Sequence, residues 1–226
     1  MQFVIAPTDI AAQAITASLC DALAAGKRTL WLVSGGSNIA AEVAVLQKLQ
    51  THAAPALPRL TILPMDERYG APGHEDSNTE QLRQAGFTPG AADWVDVLAR
   101  DLPLTETVAY YTEQVSAALG SAEAVIAQFG LGPDGHVAGI LPGSPACMDD
   151  AATVAGYEWR DYTRLTLTPR ALARADVAYA LAYGEQKQTA LKRLQANTEP
   201  FTDLPARVLY DVPEVYVYND FIESEG

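Results

Sequence analysis

The sequence predicts an α/β fold of three layers, with a mostly parallel sheet covered by helices on both faces. Apolar runs alternate with helical stretches along the 226 residues, and such alternation builds parallel sheets because each crossover passes through a helix. The runs TLWLV (29–33) and AVIAQF (124–129) are nearly continuous in apolar character, as strands buried on both faces are. No internal repeat, low-complexity tract or long linker divides the chain, and 49% hydrophobic content suits one large core, so residues 1–226 are expected to form one domain.

The elements follow in order. Phe3 to Ile5 is a short strand. Thr8 or Asp9 caps an Ala-rich helix running to about Ala25, and Gly26 stops it. Thr29 to Val33 is a strand, SGGSN (34–38) a loop, and Ile39 to Leu49 a helix. Leu60 to Leu63 is the next strand, followed by MDERYGAPGHEDSN as a long polar loop. Ser77 to Ala85 reads as a helix ended by Gly86, Asp93 to Leu98 as a strand, and Glu106 to Leu119 as a helix. The strand Ala124 to Phe129 feeds GLGPDGH (130–136). Arg164 to Thr168 and Asp176 to Ala182 are strands, Glu185 to Gln195 is a helix, and Val215 to Tyr218 is the last strand before an acidic tail expected to fray.

Composition narrows the function. With 15 Lys+Arg against 28 Asp+Glu, a net charge of −13 repels nucleic acid and anionic membranes. An anionic ligand must therefore meet a local cluster of cations or backbone N–H groups. No stretch reaches the roughly 18 apolar residues of a membrane helix, and MQFVIAPTDI lacks the basic start of a signal peptide, so a cytoplasmic location is expected. Cys20 and Cys147 read as free thiols. Three histidines, distant cysteines and no H-E-x-x-H leave no metal site, and no G-x-S-x-G elbow is present.

Four loops, beginning at Ser34, Asp66, Gly130 and Gly184, directly follow strand candidates. Ligands of such sheets bind beyond the carboxyl ends of the strands, so these loops are expected to converge on one ligand. In SGGSN, two glycines expose backbone N–H groups, Ser34 and Ser37 add hydroxyls, and the following helix adds its dipole: an anion site, most naturally for phosphate. It is not a Walker A loop, which needs Gly-Lys-Ser/Thr. GLGPDGH fits G-x-G-x-x-G, but Pro142, Gly143 and Pro145 leave room for only two helical turns after it, too few for a dinucleotide fold. Its glycines instead allow close backbone approach, and it presents Asp134 beside His136, where a carboxylate orients an imidazole and raises its basicity. Arg68, in MDER, is suited to clamp a phosphate or carboxylate. Lys187, in GEQK, falls in a first helical turn, where an anionic partner would offset its conflict with the dipole. His74 reads as solvated, and His52 as a linker residue without a role. Each loop alone is also compatible with an ordinary turn, a solvated Asp–His, an exposed ion pair or an exposed lysine.

Taken together, SGGS, DER, GHEDSN, GLGPDGH, RLTLT and GEQK occur in an order that resembles the 6-phosphogluconolactonases, which share a superfamily with the glucosamine-6-phosphate isomerases/deaminases. The resemblance runs from about Asp9 to the last strand. It implies a Rossmann-like fold of the kind found also in ribose-5-phosphate isomerases and CoA-transferases. Arg68 after Glu67, and Ile140-Leu141-Pro142 without an acid after DGH, look like the lactonase branch. Asn38-Ile39 in place of Thr-Pro, and Ala138-Gly139 in place of Ala-Ser, depart from its usual pattern.

The resemblance implies cofactor-free hydrolysis of 6-phospho-D-glucono-1,5-lactone by a carboxylic ester hydrolase. His136 would be the general base, Asp134 its orienter, and Asp66 a group holding Arg68 or the substrate hydroxyls. Ser34, Gly35, Gly36 and Ser37 would hold the phosphate with Lys187 and Arg68, and Arg164 would be a further anion contact. The expected partner is the sugar-phosphate lactone, with no nucleic acid and no membrane, and the expected assembly is a monomer or weak homodimer. An amino-sugar-phosphate isomerase or deaminase would instead use Asp66 to move a C2 proton. A sugar-phosphate sensor would be expected to carry a DNA-binding segment, which a chain opening on its first strand at −13 does not suggest.

Overall fold

In the computed structural model, residues 1–148, 153–160 and 162–224 are described. Seven strands form a wholly parallel sheet: β1 (Gln2–Ile5), β2 (Thr29–Val33), β3 (Leu60–Pro64), β5 (Asp93–Trp94), β6 (Ala124–Gly130), β9 (Val177–Ala182) and β10 (Glu214–Asn219). Their spatial order is β1-β10-β9-β6-β2-β3-β5. The reason for the unbroken apolar runs is visible in β2, all five of whose residues are buried. Leu30 and Leu32 face one core and Trp31 and Val33 the other, as side chains alternate across a strand.

Helices cover both faces. α1 (Thr8–Ala24) and α2 (Ile39–His52) pack on one side, α1 burying Ala11, Ile15, Leu19 and Leu23 at helical spacing. Pro7 precedes α1 without a side-chain cap, so neither Thr8 nor Asp9 has the expected capping role. The other side carries α4 (Leu104–Ser121) and α6 (Gln188–Ala196), with Tyr111, Val115, Leu191 and Leu194 in the core.

That side also carries a small antiparallel sheet that sequence reasoning missed: β4 (Asp66–Arg68), β8 (Tyr162–Leu167) and β7 (Val154–Trp159), in the order β4-β8-β7. The segment MDER is thus not wholly loop. The chain leaves β3, Met65 donates its N–H to Val33 O and accepts Leu167 N–H, and the next three residues pair with β8. Glu67 can lie buried there because its carboxylate accepts Arg68 N–H (2.7 Å), Ser77 Oγ–H (3.0 Å), Asn78 N–H (2.7 Å) and Thr79 N–H (3.0 Å). Two of these are the orphan amides that open α3 (Asn78–Gln84), where Ser77 also caps Glu80 N–H.

Smaller differences follow the same logic. Only Asp93–Trp94 of the expected 93–98 strand pairs with β3. His52 closes α2 and is not in a linker. Residues Glu185–Lys187 form a 3-10 turn before α6 begins. No helix among the described residues is long and apolar enough to cross a membrane.

Candidate active site

The four central strands of the parallel sheet, in the order β9-β6-β2-β3, end beside one another. The loops after them meet, as the pattern of the chain predicts. One open cleft is lined by Ser34, Gly35, Gly36 and Ser37 after β2, by Asp66 and Arg68 on β4, by His136 after β6, and by Lys187 after β9. Asp134 stands behind His136, and Arg164 stands across from Arg68 on β8 (Arg68↔Arg164).

The GLGPDGH segment folds into a tight loop closed by Gly132 N–H to His136 O (2.8 Å) and Gly135 N–H to Gly132 O (3.0 Å). The His136 ring lies so close over Gly132 that a Cβ there would sit 2.0 Å from Nδ1. Asp134 Oδ1 is 2.6 Å from His136 Nδ1 and also accepts the His136 backbone N–H at 3.1 Å. Partial burial opposes the charge on Asp134, but the hydrogen bond and charge of the His136 ring, with the backbone N–H groups, outweigh it and hold the carboxyl at about 2. An ionised Asp134 makes Nδ1 the protonated nitrogen of the neutral ring, which leaves the lone pair on Nε2.

The SGGS loop differs from expectation in one respect. The N–H groups of Ser34 and Gly35 turn away from the cleft, toward the carboxylate of Glu42 in the first turn of α2, at 2.7 and 3.2 Å. Ser34 Oγ donates to the same carboxylate at 3.3 Å and accepts Asn38 Nδ2–H at 2.9 Å. The backbone groups left for an anion are those of Gly36 and Ser37, both exposed, at the start of the 3-10 turn Gly36–Asn38 that leads into α2. Asn38 serves the loop itself.

Arg68 and Arg164 both lie over the Tyr162 ring, at 5.5 and 5.1 Å from its centroid. Arg68 Nη1 donates to Asp76 O at 3.0 Å, and each guanidinium has a buried Nε–H without a partner among the described residues. Among the described residues, neither arginine nor Lys187 has a carboxylate within ion-pair distance. Asp66 therefore does not clamp Arg68. Its carboxylate accepts from Asn78 Nδ2 (3.3 Å), and burial, with the charge of Glu67, pushes it up to about 6 against the pull of Arg68, Arg164 and His136. Lys187 is half-buried, and desolvation lowers its pKa against the charge of Asp134. His74 Nε2 lies 2.8 Å from Arg68 O, so its ring braces β4 and is not merely solvated.

Glu42 and Asn78 were not anticipated. The signal for Glu42 was an acid in the first turn after a Gly-rich loop, which ordinarily reads as a solvated dipole partner. Gly139 is explained sterically: a Cβ there would meet Thr166 Cβ at 2.9 Å and Asp66 Cβ at 3.0 Å, while its N–H donates to Thr166 Oγ1 at 3.1 Å. No cluster of His, Cys, Asp and Glu that could hold a metal ion occurs among the described residues.

A profile of the glucosamine-6-phosphate isomerases/6-phosphogluconolactonase family matches residues 6–217. The chain belongs to this family. Within it, the chain is 28% identical over 199 residues to a 6-phosphogluconolactonase of Streptomyces coelicolor, covering 81% of this chain and 76% of that protein. Matches to the curated relatives span from 42% to 81% of those proteins' lengths. Among solved structures, a 6-phosphogluconolactonase from Leishmania guyanensis has TM-score 0.78 at 19% identity over 96% of this chain and 95% of that one. A monomeric glucosamine-6-phosphate deaminase has TM-score 0.80 at 16% identity, covering 97% of both. The fold thus serves both branches of the family, and only the site distinguishes them.

Proposed function

We propose that the protein hydrolyses 6-phospho-D-glucono-1,5-lactone to 6-phosphogluconate. The observation that carries this reading is His136, backed by Asp134, sharing a cleft with a Gly-Ser loop and with cations that no carboxylate among the described residues pairs with, in a chain of net charge −13. Such a cleft suits a phosphorylated substrate, and the imidazole suits activation of water. The curated relatives, named as 6-phosphogluconolactonases, support the lactone in particular.

The steps are those of ester hydrolysis. Nε2 of His136 takes a proton from water as its oxygen attacks the C1 carbonyl. The tetrahedral intermediate collapses by breaking the bond from C1 to the ring oxygen, and the imidazolium returns the proton to that oxygen. Asp134 keeps the ring in the productive tautomer and stabilises its cationic form. The phosphate lies against Gly36 and Ser37 at the positive end of α2, with Lys187 supplying charge. Arg68 and Arg164 complete the positive wall.

The test is spectrophotometric. Lactone is generated with glucose-6-phosphate dehydrogenase, and its removal is followed above the spontaneous rate. Removal at only the spontaneous rate by folded protein would sink the reading. A second reading, isomerisation with deamination of an amino-sugar phosphate, is favoured by one feature: the raised pKa of buried Asp66 suits a base at C2. Ammonia release from glucosamine 6-phosphate would establish it.

A further inference from the structure

We propose that Glu42 is the positioning residue of the phosphate cradle: its carboxyl, fully buried beneath the SGGS loop, folds the Ser34 and Gly35 amides inward so that those of Gly36 and Ser37 face the ligand. This rests on the phosphate assignment above. Glu42 has 0% exposure although it lies in the first turn of a helix, where an acid is ordinarily solvated. Three donors converge on one of its oxygens, Oε1: Ser34 N–H at 2.7 Å, Gly35 N–H at 3.2 Å and Ser34 Oγ–H at 3.3 Å. The other oxygen accepts only a second, 3.2 Å share of the Gly35 N–H.

Burial of a carboxyl costs stability unless hydrogen bonds offset the lost hydration. Here they define the direction of two peptide groups. Gly35 and Gly36 have φ of 72° and 57°, and among the described residues the loop is otherwise held by Asn38, whose Nδ2–H donates to Ser34 Oγ and whose backbone N–H donates to Gly35 O at 3.1 Å. Without Glu42 the Ser34 and Gly35 N–H groups would be buried or half-buried donors lacking an acceptor, and the loop would turn to find one. Burial raises the pKa of Glu42 to about 7, so the neutral side chain is already a populated form near neutrality. A glutamine can place its carbonyl oxygen where Oε1 lies and keep all three bonds.

The experiment compares Glu42→Ala with Glu42→Gln, reading KM and kcat for the phosphorylated lactone and, by calorimetry, Kd for inorganic phosphate. Glu42→Ala is expected to raise KM and the phosphate Kd by about ten- to a hundredfold, with kcat falling less than about threefold. Glu42→Gln is expected to restore both constants to within about threefold of wild type. The proposal is overturned if Glu42→Ala binds phosphate as wild type does, if Glu42→Gln is as impaired as Glu42→Ala, or if wild type binds no phosphate at all. Phosphate binding needs no turnover, so a wild-type protein that binds phosphate without hydrolysing the lactone would fail the proposed activity and leave the role of Glu42 to be decided by Kd. Should Glu42→Ala not fold, the Glu42→Gln constants decide the matter, a glutamine variant with KM raised tenfold counting against it.

Discussion

Asp134 Oδ1 holds His136 at two points, the ring Nδ1 at 2.6 Å and the backbone N–H at 3.1 Å, so one carboxylate fixes both the tautomer and the loop that carries the ring. Loss of a general base typically costs 10²–10⁴-fold in rate. His136→Asn is therefore expected to lower kcat by about that range with KM changed much less. Asp134→Asn should lower kcat as well, because an amide in that place no longer demands a proton on Nδ1. Steady-state kinetics on the coupled lactone assay checks both, and a wild-type kcat in folded His136→Asn would remove this residue from the mechanism.

Lys187 lines the cleft without a carboxylate partner among the described residues, and its half-burial already costs it part of its charge stabilisation. A bound phosphate would supply that partner. Lys187→Ala is expected to raise KM by about tenfold or more while kcat stays within a few-fold, as removal of uniform binding does. Lower kcat at constant KM would show that the lysine acts on the reacting carbonyl, not on the phosphate.

Stability should depend on pH through the acids under the site. Burial raises Glu42 from 4.5 to about 7 and Asp66 from 3.8 to about 6. Between its unfolded and folded values each group binds more protons when folded, so its stabilising contribution is complete below the unfolded value and is lost as pH rises to the folded one. At about 1.4 kcal/mol per pKa unit, Glu42 accounts for on the order of 3 kcal/mol lost between pH 4.5 and 7. Calorimetric melting of wild type across this window should show the decline, and Glu42→Gln should flatten it. Equal slopes for the two proteins would show that Glu42 does not titrate there.

The parallel sheet was legible because its central strands are buried on both faces, which leaves apolar runs such as TLWLV that no other element explains. Convergence of the loops followed from topology alone. The small sheet was not legible: β4 is three polar residues, and Glu67 reads as a surface acid until its four donors, contributed from as far as Thr79, are seen. Glu42 was hidden for the same reason. Its shortest contacts are from backbone N–H groups, which carry no sequence signature, so the SGGS loop read as offering the ligand amides that the protein uses itself.

Two glycines in the same segment should fail in different ways when given a methyl group. At Gly132 the added Cβ meets the His136 ring at 2.0 Å from Nδ1, and a ring at the end of a side chain can swing aside. Gly132→Ala is therefore expected to keep its fold but lose the Asp134–His136 hydrogen bond, with kcat falling by about the 10²–10⁴ of general-base loss. At Gly139 the obstacles are Thr166 Cβ at 2.9 Å and Asp66 Cβ at 3.0 Å, atoms anchored on β8 and β4 that cannot move without their strands. Gly139→Ala should cost about 1–3 kcal/mol, the usual penalty for overpacking, and lower Tm by several degrees in a chain of this size. Melting curves and kcat for the two variants separate these outcomes. A destabilised Gly132→Ala with normal turnover, or a Gly139→Ala as stable as wild type, would mean that the loop after β6 is looser than these contacts require.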